Sequence, residues 1–126
     1  MAALRSIDLV TLQEGRPLQG APRLLIGAGT GLGQAILVWQ GNQYAVIPTE
    51  GGRADFGPVD ELQLDLARYL LRQYGHASYE MILSGPGLVR LYVFLRARGA
   101  TAESATVAQA MQTGDPAAAI TQAALH

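Results

Sequence analysis

The spacing of apolar positions changes twice along the chain, and each change marks a different kind of element. Residues 1–22 keep no sustained period. Asp8-Leu9-Val10-Thr11-Leu12 predicts a short strand, and Glu14 to Pro22, with Gly15, Pro17, Gly20 and Pro22, predicts a loop-rich lead-in. Short apolar runs then follow at 23–26, 34–39 and 43–47. Runs of this length bounded by glycine read as strands. Gly41-Asn42 suits a tight turn between the last two. Pro48 to Pro58 interrupts the pattern with a loop that sets Glu50, Arg53 and Asp55 around Gly51-Gly52.

From Asp60 the period becomes helical. Leu62, Leu66, Tyr69, Leu70 and Gln73 share one face, Asp60 can cap, and Gly75 can close, which predicts a helix over 60–74. Ser78 can cap a short turn that holds Glu80. Pro86 opens a second helix whose apolar stripe is Leu88, Leu91, Tyr92 and Leu95, ending before Gly99. A third helix is expected over 104–113. Asp115 and Pro116 start a fourth, which is Ala-rich and runs to the chain end without a stop signal.

Composition narrows the function classes. A chain of 126 residues, 49% hydrophobic and 15% charged, is expected to form a single domain with a core, over 1–126. A net charge of -1 argues against a nucleic-acid or anionic-membrane surface. Without cysteine there is no disulfide or thiolate chemistry, and two histidines make a protein-built metal site improbable. No apolar run approaches the roughly 20 residues of a membrane span, and Met1 to Ile7 lacks a signal-peptide pattern. The expected setting is cytoplasmic.

The candidate chemistry centres on Gly27-Ala28-Gly29-Thr30-Gly31-Leu32-Gly33, between the first two strands. Glycine permits positive φ and close approach of a ligand to backbone, and successive N–H groups in such a turn can cradle an anion. Two familiar phosphate loops are excluded. All nine basic residues are arginine, so a Walker lysine is missing. The dinucleotide fingerprint fails because Leu32 and Gln34 stand where its last glycine belongs. The expectation is a hairpin joining two antiparallel strands and able to hold a phosphate; an ordinary glycine-rich hairpin fits the same residues.

The order of motifs resembles bacterial glucokinases of the sugar-kinase/actin-like ATPase superfamily. Gly27 to Gly33 is similar to their second phosphate loop. Thr49-Glu50-Gly51-Gly52-Arg53-Ala54-Asp55-Phe56 resembles their sugar-contacting E-G-G-H-x-D-F loop. Glu80 with Met81-Ile82-Leu83-Ser84-Gly85-Pro86-Gly87-Leu88 resembles their E-x-x-L-S-G-P-G-L segment. The resemblance implies an α/β segment, antiparallel hairpin strands followed by helices, within the large domain of an actin-like ATPase fold. It implies ATP-dependent phosphorylation of glucose or a related hexose, with Mg²⁺ in the complete enzyme.

By the same resemblance, Glu50 and Glu80 hydrogen-bond sugar hydroxyls, Gly51 and Gly52 let backbone approach the ring, and Gly29, Thr30 and Gly31 face nucleotide phosphates. Arg53 stands where the family usually has histidine; it is longer, always charged and only a donor, and could pair with Glu50 or Asp55 or reach the sugar. Asp55 is assigned a structural role. The N-terminal D-x-G-G-T loop, the N-D-F segment with its general base and the C-terminal adenosine segment have no counterpart, so no catalytic residue is assigned. The expectation is a fragment, inactive alone, whose Ala-rich end favours a homodimer or other self-association. The alternative is a non-catalytic sugar-binding or regulatory module.

Overall fold

A computed structural model describes residues 5–99, 102 and 104–125. Three strands come first: β1 (Arg23–Ala28), β2 (Leu32–Trp39) and β3 (Tyr44–Thr49). They form one antiparallel sheet in the order β1-β2-β3. The first two runs extend into the glycine stretch. Gly27 pairs with Gly33 and Ala28 with Leu32, so only Gly29-Thr30-Gly31 remain as the turn. A missing side chain does not remove a backbone donor or acceptor, and the ladder continues through glycine. At the other end Gly41 adopts φ +92°, and the Gln40 amide donates to the Gln43 carbonyl, closing the expected tight turn. Trp39 and Tyr44 pack edge to face across it, with ring centres 4.9 Å apart.

Residues 8–12 do not form the expected strand. Ser6–Asp8 make a single 3₁₀ turn, in which the Asp8 carboxylate accepts from the Arg5 amide and guanidinium. Leu9, Val10 and Leu12 stay exposed. An apolar run becomes a strand only with a partner edge, and no described strand pairs with it.

The helices are α1 (Glu61–Tyr74), α2 (Gly85–Ala97), α3 (Ala105–Thr113) and α4 (Pro116–Leu125). Their ends follow local chemistry. The Asp60 carboxylate accepts from the Gln63 amide at 2.8 Å, and Gly75 closes α1 in the left-handed region at φ +78°. Ser84 caps α2 by accepting from the Gly87 amide, with Pro86 in the first turn. Asp115 accepts from the amides of Ala117 and Ala118 at the start of α4. Among the described residues no helix is long and apolar enough to cross a membrane.

Leu66 and Leu70 of α1, Ala77, Met81 and Phe94 of α2 form the core, with Phe56, Tyr69, Ile82 and Leu91 packed against them. Phe94, which the expected stripe left out, is buried with its ring against Tyr69 at 5.4 Å, while Leu95 of that stripe is exposed. Asp65 of α1 ties to Arg98 just past α2, and that hydrogen bond holds its carboxyl below the usual aspartate range. The sheet is the open part of the molecule. Leu24, Ile36 and Ile47 lie side by side across the three strands, and all three are exposed.

Candidate functional site

Three backbone hydrogen bonds stitch the Glu50 loop to the Glu80 segment. The Phe56 amide donates to the Ala77 carbonyl at 3.0 Å, Tyr79 to Ala54 at 3.1 Å, and Glu80 to Gly52 at 2.7 Å. Asp55 opposes Ser78 in this short antiparallel bridge, so its place is structural. Ahead of the bridge, Gly51–Arg53 form one 3₁₀ turn directly after β3. The turn stays against β2 because two glycines lack side chains. A Cβ on Gly52 would run into the Leu32 carbonyl oxygen, and one on Gly51 into the Gln34 amide oxygen. The β2 backbone thus fixes Gly52, whereas the neighbour of Gly51 is the movable end of the Gln34 side chain.

The stitching gathers the charged side chains. Arg53 Nε lies 3.7 Å from a Glu50 oxygen and 3.8 Å from a Glu80 oxygen. One guanidinium thus faces both carboxylates. Its partners are Glu50 and Glu80, not Asp55. Both separations exceed hydrogen-bond length, and the Arg53 and Glu50 side chains are 73% and 88% exposed. Water screens such pairs, so they contribute little to stability and leave the side chains free to change partner. Glu80 differs. Its side chain is 34% exposed, and its Oε2 accepts from the Leu32 amide at 3.0 Å.

That last bond connects Glu80 to the glycine hairpin. Leu32 is the first β2 residue after Gly29-Thr30-Gly31. Within the turn the Gly29 amide donates to the Gly31 carbonyl, and the Gly29 carbonyl accepts from the Gly85 amide at the start of α2. The amides of Thr30 and Gly31 make no hydrogen bond among the described residues. None of Gly27, Gly29, Gly31 or Gly33 has positive φ, which corrects that part of the expectation. At Gly31 the reason for glycine is space: a Cβ there would lie 2.7 Å from Glu80 Oε2.

Thr30 stands on the border of two clefts. One, about 510 Å³, is lined by Gly29, Thr30 and the starts of α2 and α4, Gly85, Pro86, Asp115 and Pro116 among them. The α4 start on this side is already capped by the Asp115 carboxylate and the α2 start by Ser84, so the hairpin amides of Thr30 and Gly31 are its open donors among the described residues. The other, about 320 Å³, brings Thr30 and Glu80 together with His76, Ser84 and Arg90. Arg90 is held there, donating to the Met81 carbonyl and lying over the Tyr74 ring. Glu80 faces this second cleft while touching the hairpin.

Sequence reasoning named Glu50, Gly51, Gly52, Arg53 and Glu80 as one group and Gly29, Thr30 and Gly31 as another. The structure joins the groups through the Leu32 amide. Leu32 gave no signal, because a backbone donor leaves no trace in residue type. Asp115 and Pro116 were read only as a helix start; their place beside Thr30 depends on how α4 returns to the hairpin. Ser84 was passed over in favour of Pro86, although serine three residues before a helical amide is a capping signal. Gly87 is fixed by contact as well: a Cβ there would strike the Ile82 carbonyl. Among the described residues, no group of three or more His, Cys, Asp or Glu gathers as a metal cage.

Known proteins share this fold. The crystal structure of a glucokinase from an Antarctic psychrotroph superposes with a TM-score of 0.71 at 30% identity, covering 94% of this chain and 39% of that one. A glucokinase from Balamuthia mandrillaris, solved in complex with glucose, gives 0.66 at 27% identity, covering 83% and 29%. The fold is thus a segment of the actin-like ATPase fold, with the antiparallel sheet leading into the helices. The glucokinase family model matches residues 1–126, and the chain belongs to that family. The glucokinase of Nostoc sp. is 46% identical over 136 residues, covering 98% of this chain and 40% of its own length. That of Trichormus variabilis is 47% identical over 132 residues, covering 94% and 39%. The chain spans about 40% of the length of these curated relatives.

Proposed function

We propose that these residues serve ATP-dependent phosphorylation of glucose, with Glu50, Gly51, Gly52, Arg53 and Glu80 on the sugar side and Gly29, Thr30 and Gly31 on the phosphate side. The observation that supports it best is the backbone bridge holding the Glu50 turn against Glu80, so that two carboxylates face one guanidinium. Ionised carboxylates accept short, strong hydrogen bonds from hydroxyl groups, which suits a polyol. The Thr30 and Gly31 amides, which bond to no other described residue, suit a phosphate chain.

In phosphoryl transfer the protein contributes mainly position and electrostatic stabilisation. The carboxylates orient the sugar, and the hairpin amides orient phosphate. No residue of this chain is assigned as the base that takes the proton of the acceptor hydroxyl. Mg²⁺ belongs to this reading as part of the nucleotide complex. The reading also carries a cytoplasmic setting, where ATP and hexose are supplied. It includes self-association through the Ala-rich helix α4.

The test is a coupled assay of glucose 6-phosphate formation by the protein as its gene encodes it, with ATP, Mg²⁺ and glucose. Turnover is expected, and Glu50→Gln or Glu80→Gln should each weaken transition-state binding by about 1–3 kcal/mol. Glucose binding without turnover would favour a non-catalytic sugar module. Absence of both glucose binding and turnover would refute the proposal.

A further inference from the structure

The contact between Glu80 and the hairpin gives Gly31 a role beyond the phosphate side. We infer that Gly31 and the Leu32 amide together form the seat of the Glu80 carboxylate, which makes Gly31 a positioning residue for the sugar. This inference rests on the sugar-kinase reading above. Two facts carry it. Glu80 Oε2 is bound by the Leu32 amide at 3.0 Å, across 48 positions of sequence. The side-chain space at Gly31 is taken by the same oxygen, 2.7 Å from where a Cβ would stand, with the carboxyl carbon at 3.3 Å.

The geometry makes alanine at Gly31 a selective probe. Its backbone does not use positive φ, so an L side chain meets no backbone strain there. The atoms that a methyl group would meet belong to the end of the Glu80 side chain and not to backbone. The carboxylate therefore moves and the fold stays. Once moved, Oε2 loses the Leu32 amide, and the oxygen facing Arg53 swings with it. A substitution in the glycine hairpin is thus felt on the sugar side. The bond also gives a direct path in the other direction: a sugar that fixes Glu80 fixes Leu32, and with it one leg of the turn that presents Thr30.

The seat can be tested with and without sugar. In the protein as its gene encodes it, the ¹⁵N-labelled Leu32 amide reports the bond, and calorimetric titration with glucose reports the site. Gly31→Ala and Glu80→Gln are each expected to shift the Leu32 amide upfield and speed its exchange, because a charge-assisted bond is lost or weakened. Gly31→Ala is expected to weaken glucose binding about tenfold, the scale of one misplaced charged acceptor. The double variant should bind glucose no more weakly than Glu80→Gln alone, because both changes remove the same oriented oxygen. A purely structural role for Gly31 would give additive losses. An unchanged Leu32 amide in both single variants overturns the seat. So does unchanged glucose affinity in Gly31→Ala when the parent binds glucose. A parent that binds no glucose, with Leu32 still responding to both substitutions, upholds the seat and refutes the sugar reading instead.

Discussion

Replacing Gly52 with alanine adds one methyl group at a buried point where three segments meet. The new Cβ would stand 3.0 Å from Leu32 Cβ and 3.1 Å from its carbonyl carbon, and closer still to its carbonyl oxygen. A carbon and a carbonyl oxygen need about 3.3 Å. The obstacle is β2 backbone, pinned by the Ala28–Leu32 pair, so no side chain can swing aside. The 50–54 turn must move instead. That movement stretches the 2.7 Å bond from the Glu80 amide to the Gly52 carbonyl. Overpacking costs about 1–3 kcal/mol, and a weakened buried hydrogen bond about 1 kcal/mol more. Alanine also restricts the unfolded chain, which returns about 0.4–1 kcal/mol. Sterics dominate, and the net loss is about 2–3 kcal/mol. With a urea slope of about 2 kcal/mol/M, the unfolding midpoint should fall by about 1–1.5 M. Trp39, the single tryptophan, reports the transition by fluorescence. Gly29→Ala is the control: a Cβ there meets nothing within 4 Å and the backbone is not at positive φ, so its midpoint should stay within about 0.3 M. If Gly52→Ala proved as stable as Gly29→Ala, the packing of the turn against β2 would be refuted.

Ser84→Ala should destabilise by about 1 kcal/mol, seen in thermal or urea unfolding, because the buried hydroxyl that accepts from the Gly87 amide is lost. Asp65 should titrate below the usual aspartate value of about 3.9 in an NMR pH titration. Its folded value is depressed, so the Arg98 tie contributes above that unfolded value and is lost as pH falls through the folded one; Asp65→Asn should remove this part of the acid dependence, and an unshifted midpoint would refute the tie. Arg53→Gln should leave the melting temperature unchanged, since its ion pairs are exposed and long, yet it should change glucose affinity because both carboxylates lose their shared cation. Equal glucose affinity in parent and variant would remove Arg53 from the sugar side.

The elements that could be read from sequence are those whose causes lie within a few residues. Asp60 and Gly75 bound α1 because a cap needs one acceptor and a left-handed residue, and both are local. Asp115 and Pro116 open α4 in the same way. The strand at 8–12 failed for the opposite reason. Its apolar residues are real, but a strand is a relation between two segments, and the second is absent from the described sheet. Likewise Phe94 outranks Leu95 in burial through Tyr69, 25 positions earlier, which no window on α2 contains.

The glycines of the hairpin carry the same lesson into the site. In sequence they look equivalent, and a single rule of backbone freedom seems to cover all four. In space they separate. Gly27 and Gly29 leave room for a methyl group, Gly33 has ordinary contact with the Gly27 carbonyl at 3.6 Å, and Gly31 alone is filled by another residue's carboxylate. Positive φ is found instead at Gly20, Gly41, Gly75 and Gly99, all outside the motif. The motif therefore holds two kinds of information. Its outer glycines belong to a ladder that other small residues could continue. Gly31 records a partner 49 positions away, Glu80, which in turn is placed by Gly52. Gly31, Gly52 and Glu80 form one contact unit drawn from three motifs, and substitutions in any one should couple energetically with the others, as residues sharing partners do.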